Sequence, residues 1–338
     1  MKADNVQSPF LPGTKIQFAW DSTSLSYLKT CPRLYYYTMI EGWSPKGEPI
    51  HLRFGIEYHQ ALHDFEKYKA EGAPYDDALR NTIRDLLIRI HNWHPDPSRD
   101  SEKVKSKDNL VRTVIWYLDK FREDQAETVI LANGLPAMEV SFKFELDWGP
   151  ATQYIAVHER DSEAADADEK HNAIAQPYLL CGHLDRVVEY SNSFFVMDRK
   201  TTSMTLPSSY YFNRFEPNNQ MTLYSFAGQV VLGSPIRGVI IDAAQIAMGF
   251  SRFERGITYR TPDSLEEWLE DLQILLKHNE DYADADYWPM NDTACDKFGG
   301  CRFREVCSKS TGIRQNFLRS DFDQLPLEER WNPLKPRT

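Results

Sequence analysis

Val196-Met197-Asp198-Arg199-Lys200-Thr201, preceded by Gly182-His183-Leu184-Asp185-Arg186, is the stretch whose reading decides the fold. The two segments adjoin apolar runs, Tyr178 to Val188 and Phe194 to Met197, that flank Ser191-Asn192. Strand side chains alternate between faces, so Asp198 and Lys200 share one face and Arg199 takes the other. A two-residue turn at Ser191-Asn192 sets Asp185 directly opposite Asp198. Cross-strand partners lie about 4.5 to 5.5 Å apart at Cβ. Two carboxylates at that distance force one of them to take up a proton unless a cation lies between them. Mg²⁺ or Mn²⁺ meets the need, being satisfied by one or two carboxylates plus water and phosphate oxygens. A neighbouring ammonium orients the attacking water and offsets charge growing on the phosphate, while a metal lowers the pKa of that water. The pattern therefore suits metal-assisted phosphodiester hydrolysis. Asp-x-Lys in isolation is usually a solvated strand face, so the surrounding segments decide.

Downstream, Gln220-Met221-Thr222-Leu223-Tyr224 opens an apolar segment with helical spacing, which puts Gln220 and Tyr224 one turn apart on one face. Upstream, Gly55 to Leu62 reads as the start of another helix, able to present His59. Taken in order, Ser24 to Pro32 (Ser-x6-Cys-Pro), Gly55 to His59, Gly182 to Asp185, Asp198 to Lys200 and Gln220 to Tyr224 resemble the PD-(D/E)XK nuclease superfamily. Within it they are similar to the RecB-like branch, which includes the iron-sulfur nucleases of CRISPR adaptation and the AddB-type recombination nucleases. The resemblance implies a restriction-endonuclease-like α/β fold, a central mixed sheet flanked by helices. It implies that His59, Asp185, Asp198 and the backbone carbonyl of Arg199 hold Mg²⁺ or Mn²⁺, and that Lys200 is catalytic. Gln220 and Tyr224 would position DNA or the lysine. The implied activity is a DNA nuclease, an exonuclease acting on single-stranded DNA or on DNA with free ends, working as a homo-oligomer or with DNA-processing proteins. The alternative from a different class is a non-catalytic nucleic-acid-binding or scaffold module of a DNA-processing assembly; intact Asp185, Asp198 and Lys200 argue against it.

Cys295, Cys301 and Cys307 form C-x5-C-x5-C, and Cys31 stands alone near the start. Four thiolates suit a [4Fe-4S] cluster or a structural Zn²⁺, closing a long loop between the two ends of the chain. Unligated or disulfide-bonded cysteines are the remaining possibility. The resemblance favours iron-sulfur, although those relatives carry a C-x2-C that this chain lacks. Cys181, the fifth, is assigned to the core as a small hydrophobe.

The net charge of −11, from 39 basic and 50 acidic residues, counts against coating nucleic acid non-specifically, so DNA must be held by local patches. Two aromatic groups offer themselves: Tyr210, Tyr211, Phe212 and Phe215 around Arg214, and Tyr35, Tyr36 and Tyr37 beside Arg33. Aromatic runs of this kind are more often core. Part of the acid lies in Glu159 to Glu169, expected as a loop between strands. No window approaches 18 consecutive apolar residues and the N-terminus lacks an apolar signal core, so a cytoplasmic protein with no membrane association is expected.

The motifs span residues 20 to 310, so one domain over 1–310 is expected, with a helical insertion at about 70–130, a cluster region at 24–37 plus 290–310, and an extended tail at 311–338. Residues 1–19 read as a loose leader. Helices are expected after Asp21, at 55–69, 76–93, 109–126 and 264–283, and strands at 137–146, at the two acidic segments and at 236–246. His59, His63 and Glu66 share a helix face and offer a separate metal site, with His59 alone the preferred ligand. Glu139 and His183 are outer candidates. Lys103, Lys105 and Lys107 read as a solubilising loop rather than as DNA contacts.

Overall fold

The computed structural model describes residues 7–47, 50–96, 98–155, 172–297 and 300–335. The acidic segment Glu159 to Glu169 lies outside them. The elements used below are β1 (Ala19–Trp20), α1 (Ser22–Thr30), α2 (Ile50–Ala70), α3 (Tyr75–Arg89), α4 (Lys107–Lys120), β2 (Leu179–Tyr190), β3 (Ser193–Thr202), α5 (Asn219–Leu232), β4 (Ile236–Ile246), β5 (Ser251–Tyr259) and α6 (Pro262–Asp284). The chain divides into two compact units. One comprises Met1–Lys46, Ser141–Gly182 and Asp263–Thr338, and the other Gly47–Val140 and His183–Pro262. Every side chain expected at the divalent-metal site is in the second unit, and all four cysteines of the expected cluster are in the first.

The second unit is a mixed sheet flanked by helices. β2 and β3 form an antiparallel hairpin, β4 joins β3 in parallel, and β5 closes the edge antiparallel to β4. The turn is the expected two-residue one: Ser191 and Asn192 both have positive φ, 49° and 56°, as a type I′ turn requires. The register runs from Tyr190 opposite Ser193 to Arg186 opposite Met197. The pairing ends there, one step short of Asp185 and Asp198. One face of the sheet packs Val188, Phe195, Met197 and Ile240 around Ala126. Further along, Ala244, Ile246 and Phe253 meet the apolar sides of α2, α3 and α4. The other face receives α5 so closely that a Cβ on Gly228 would lie 2.8 Å from Val196 and 3.0 Å from Ile236. Asn218 caps α5 by accepting from the amides of Gln220 and Met221, and Gly233 ends it in the left-handed conformation.

In the second unit, three expectations need correction. α4 spans Lys107–Lys120 rather than 109–126, because the Ser106 hydroxyl caps it two residues earlier and Phe121 already leaves helical geometry. β5 was not anticipated: a half-buried Arg255 stands where a strand facing a core would carry an apolar residue. Lys105 is no loop solubiliser, being buried with its ammonium 4.4 Å from the centre of the Phe54 ring, and burial pushes its pKa down to about 8.

In the first unit, Asp21 forms a capping box with Ser24 at the start of α1, and β1 pairs in parallel with Leu179 and Leu180. The described part of the leader, from residue 7, is not loose, since Leu11, Ile16 and Phe18 are buried and Phe10 bridges Gln17. The tail is not extended throughout. Arg314–Asp321 is helical and Phe322–Gln324 pairs with Trp43–Pro45, because Leu318 and Phe322 bury themselves against Tyr37, Trp43 and Phe303. Among the described residues no helix is long and apolar enough to cross a membrane.

The β3–β4 register skips a residue, from Phe194 opposite Ile236 to Phe195 opposite Gly238, and a Cβ on Gly238 would lie 2.4 Å from the backbone oxygen of Thr258. A clash with backbone cannot be relieved by a rotamer change. Gly238→Ala is therefore expected to lower stability by about 1–3 kcal/mol, read as a lower urea midpoint; an unchanged midpoint contradicts this packing.

Candidate active site

Asp198 and Lys200 leave β3 on the α5 face, as strand parity requires, and each is held by a specific partner. Lys200 Nζ lies 2.9 and 2.7 Å from the two carboxylate oxygens of Asp198. The same ammonium donates to Gln220 Oε1 at 3.0 Å, and Gln220 Nε2 donates to the Tyr224 hydroxyl at 3.0 Å. The four expected residues thus form one continuous chain from the sheet to the first turns of α5. Gln220 sits at the start of that helix because Asn218 fixes where the helix begins.

Asp185, on β2, accepts from the backbone N–H of Arg199 at 3.0 Å. His59 Nδ1 approaches the same carboxylate oxygen at 3.4 Å. Helix α2 brings His59 there by lying against the end of β3, where an added Cβ on Gly55 would touch Thr201 Oγ1 at 3.8 Å. Asp185 and Asp198 are 5 % and 1 % exposed. Burial raises the pKa of Asp185, but the charges of His59 and Lys200 and the Arg199 N–H outweigh it and leave the carboxyl below its ordinary value.

Arg199 points to the opposite face, into a buried ionic network that was not legible in the sequence. Its guanidinium approaches Glu66 at 3.9 Å, and Arg186 approaches the same carboxylate at 3.6 Å. Arg255 makes a two-pronged pair with Asp124, at 2.7 and 2.8 Å, and its Nε lies 3.4 Å from Asp242, which also accepts from Tyr117. Glu66 is thereby engaged with arginines rather than with histidines. His63 keeps a buried Nδ1 with no hydrogen-bond partner among the described residues, and burial pushes its pKa down.

Of the aromatic groups proposed to grip DNA, most are core. Tyr211, Phe215, Tyr35 and Tyr37 are buried, while Tyr210 is 77 % exposed. Phe212 lies over Gly256, where a Cβ would be 2.3 Å from its ring.

In the first unit, Cys31, Cys295, Cys301 and Cys307 line one cavity of about 560 Å³, and none is in a disulfide. Cys31 Sγ accepts from the Asn291 N–H at 3.3 Å. Burial, then the neighbouring Cys301, pushes the Cys307 thiol up to about 11, and the same two causes raise Cys295. Cys181 is buried, as expected.

Among the described residues, no three His, Cys, Asp or Glu side chains are close enough to hold a metal ion. At the carboxylates, Lys200 pairs with Asp198, and the Arg199 N–H and His59 lie against Asp185. The donor chemistry still fits the expected groups. Two carboxylates, an imidazole and a carbonyl suit a hard divalent cation, and four thiols around one cavity suit iron-sulfur or zinc.

A family model described as the PD-(D/E)XK nuclease superfamily matches residues 20–308. No curated protein matches the sequence. One similar solved structure is a "putative exonuclease" from Eubacterium rectale, with 9 % identity, a TM-score of 0.44, and coverage of 88 % of this chain and 92 % of that one.

The depressed pKa of Asp185 has a signed consequence. Its stabilising contribution is present above the ordinary carboxylate value of about 3.9 and is lost as pH falls through the lower folded value. Wild type is therefore expected to lose stability relative to Asp185→Asn as the pH drops from about 5 towards 2, read from paired denaturant midpoints. A difference that stays flat over that interval contradicts the assignment.

Proposed function

The chain belongs to the PD-(D/E)XK nuclease superfamily, and from that premise we propose that it is a divalent-metal-dependent DNA nuclease of RecB-like type. We take it to be an exonuclease acting on single-stranded DNA or on DNA with free ends. The observation that carries the proposal is the unbroken chain Asp198–Lys200–Gln220–Tyr224 on the same sheet face as Asp185. Asp185, Asp198, His59 and the Arg199 carbonyl are the residues that would hold Mg²⁺ or Mn²⁺. When bound, such a cation lowers the pKa of water and polarises the phosphoryl group.

The remaining work falls to the side chains. Lys200 places a positive charge beside the point where water adds to phosphorus and the ester oxygen departs, and so offsets the charge that accumulates on the phosphoryl oxygens. Its ammonium is held between Asp198 and Gln220, so it needs no reorganisation at the moment of reaction. Tyr224 fixes the Gln220 amide with its oxygen towards Lys200. We assign the four cysteines of the first unit to a structural [4Fe-4S] cluster, with zinc as the lesser alternative. The shared cavity supports that assignment.

On end-labelled DNA with Mg²⁺ or Mn²⁺, Asp185→Ala, Asp198→Ala and Lys200→Ala are expected to lower the cleavage rate at least about 10²-fold, with a smaller loss for Gln220→Ala. Wild-type cleavage retained by Lys200→Ala would remove the proposal, and intact DNA in every lane would favour a binding module. Anaerobically purified protein is expected to contain iron and sulfide and to absorb in the visible region, and Cys301→Ser is expected to lose that absorbance. Stoichiometric zinc, or no metal at all, contradicts the iron-sulfur assignment.

A further inference from the structure

The turn between β4 and β5 carries exposed rings that no part of the proposed chemistry uses. Phe250 is 44 % exposed, Met248 65 % and, on α4 beside the turn, Trp116 41 %. Each of the two rings has a guanidinium over it: Arg252 lies 5.6 Å from the centre of Phe250, and Arg112 lies 5.0 Å from the centre of Trp116. Both arginines are held by backbone. Arg112 donates to the carbonyls of Met248 and Ala247 at 3.0 and 2.8 Å, and Arg252 donates to the carbonyl of Leu206. The cations are therefore pre-positioned over their rings rather than waving from the surface.

Sheet register places the Phe250–Arg252 end of this ledge relative to Lys200, while Trp116–Arg112 lies on α4, which packs on the other face of the sheet. Lys200 is opposite Ala243 and Thr202 is opposite Gln245, which in turn pairs with Arg252. Paired residues share a face, so Arg252 emerges on the same side as Asp198 and Lys200. It is two strands across and two residues further along, roughly 12 Å at about 4.8 Å per strand and 3.3 Å per residue. Gln245 and Arg252 both tie down Leu206, in the segment that follows β3, so that segment runs between the site and the ledge.

We infer that the β4–β5 turn is a base-stacking ledge for single-stranded DNA, with Phe250–Arg252 as its near step and Trp116–Arg112 as its far step. This rests on the nuclease reading above and deepens it by naming the strand form that the site receives. The chemistry selects the occupant. Exposed rings offer faces to bases of any sequence, and fixed guanidinium groups add cation–π stacking and attract phosphate. A chain with net charge −11 can hold a polyanion only through such local pairs. A duplex keeps its bases stacked on one another and presents no free faces to the rings.

The test is the affinity of the full-length protein for a fluorescein-labelled oligodeoxythymidylate, measured by anisotropy without added divalent metal. The same strand with abasic residues is measured in parallel. Phe250→Ala/Trp116→Ala is expected to weaken binding at least about tenfold, as loss of stacking on two rings should. Phe250→Trp is expected to retain affinity. The abasic strand should bind wild type about as weakly as the intact strand binds the double variant. Hydrolysis of thymidine 5′-(4-nitrophenyl phosphate), too small to reach the ledge, should be unchanged in the double variant. Equal affinity of wild type for intact and abasic strands overturns the inference whether or not the double variant folds. So does a double variant that binds the strand normally but loses a self-association seen in wild type, which would make the ledge an interface between copies. If no form cleaves end-labelled DNA with Mg²⁺ or Mn²⁺, the nuclease reading fails, while the anisotropy result still decides the ledge.

Discussion

Three consecutive charged residues, Asp198, Arg199 and Lys200, lie on a strand in the middle of a packed sheet, and each must find its counter-charge on its own face. Stripping charges of water costs several kcal/mol per ion unless the partners and hydrogen bonds are complete. On one face the cost is met by Lys200 against Asp198 and by Gln220 and Tyr224 behind them. On the other face Arg199, Arg186 and Arg255 are set against Glu66, Asp124 and Asp242. A slip of one residue in β3 would exchange these faces, pointing Arg199 at Gln220 and the carboxylate of Asp198 into the acidic side of the network. The register of β3 against β2 is thus fixed from both sides of the sheet. The site owes its geometry as much to the buried arginines as to the residues that would act on substrate.

That division also explains what the sequence could convey. The hairpin register was legible because Ser191-Asn192 is a strong turn signal and strand parity is strict, so Asp185, Asp198 and Lys200 fall out by counting. Gln220 and Tyr224 were legible because their spacing of four residues is one helical turn. The arginine network was hidden, since Arg186, Arg199 and Arg255 look like surface residues until their partners from α2, the loop before Glu127 and β4 arrive from distant parts of the chain. The same blindness concealed β5, which carries Arg255 on its core-facing side. Aromatic density misled in the opposite direction: Tyr211, Phe215, Tyr35 and Tyr37 read equally well as stacking platforms or as core, and burial assigns them to the core. The exposed rings of Trp116 and Phe250 are single residues in unremarkable contexts, and only the fold makes them neighbours of one turn.

The two compact units separate two kinds of chemistry. Oxygen donors, imidazole and ammonium are gathered in the second, and the four thiols that share a cavity are gathered in the first. The first unit draws on the beginning, middle and end of the chain, and its aromatic cluster joins Tyr37 and Trp43 to Phe303 and Phe322 across more than half of the sequence. Closing so long a loop is entropically unfavourable, and four sulfur ligands to one group would offset that cost directly. No such device is needed in the second unit, where the hairpin and the strand–helix–strand path through α5 are local.

The central claim is that Asp185 and Asp198, on the two strands of the hairpin, form a binding site for a hard divalent cation. Its most direct test is a Mn²⁺ titration followed by electron paramagnetic resonance, comparing wild type with Asp185→Asn, Asp198→Asn and His63→Ala. One site in wild type and in His63→Ala, lost or strongly weakened in both aspartate variants, is the predicted result. Equal Mn²⁺ affinity in wild type and the two aspartate variants would contradict it.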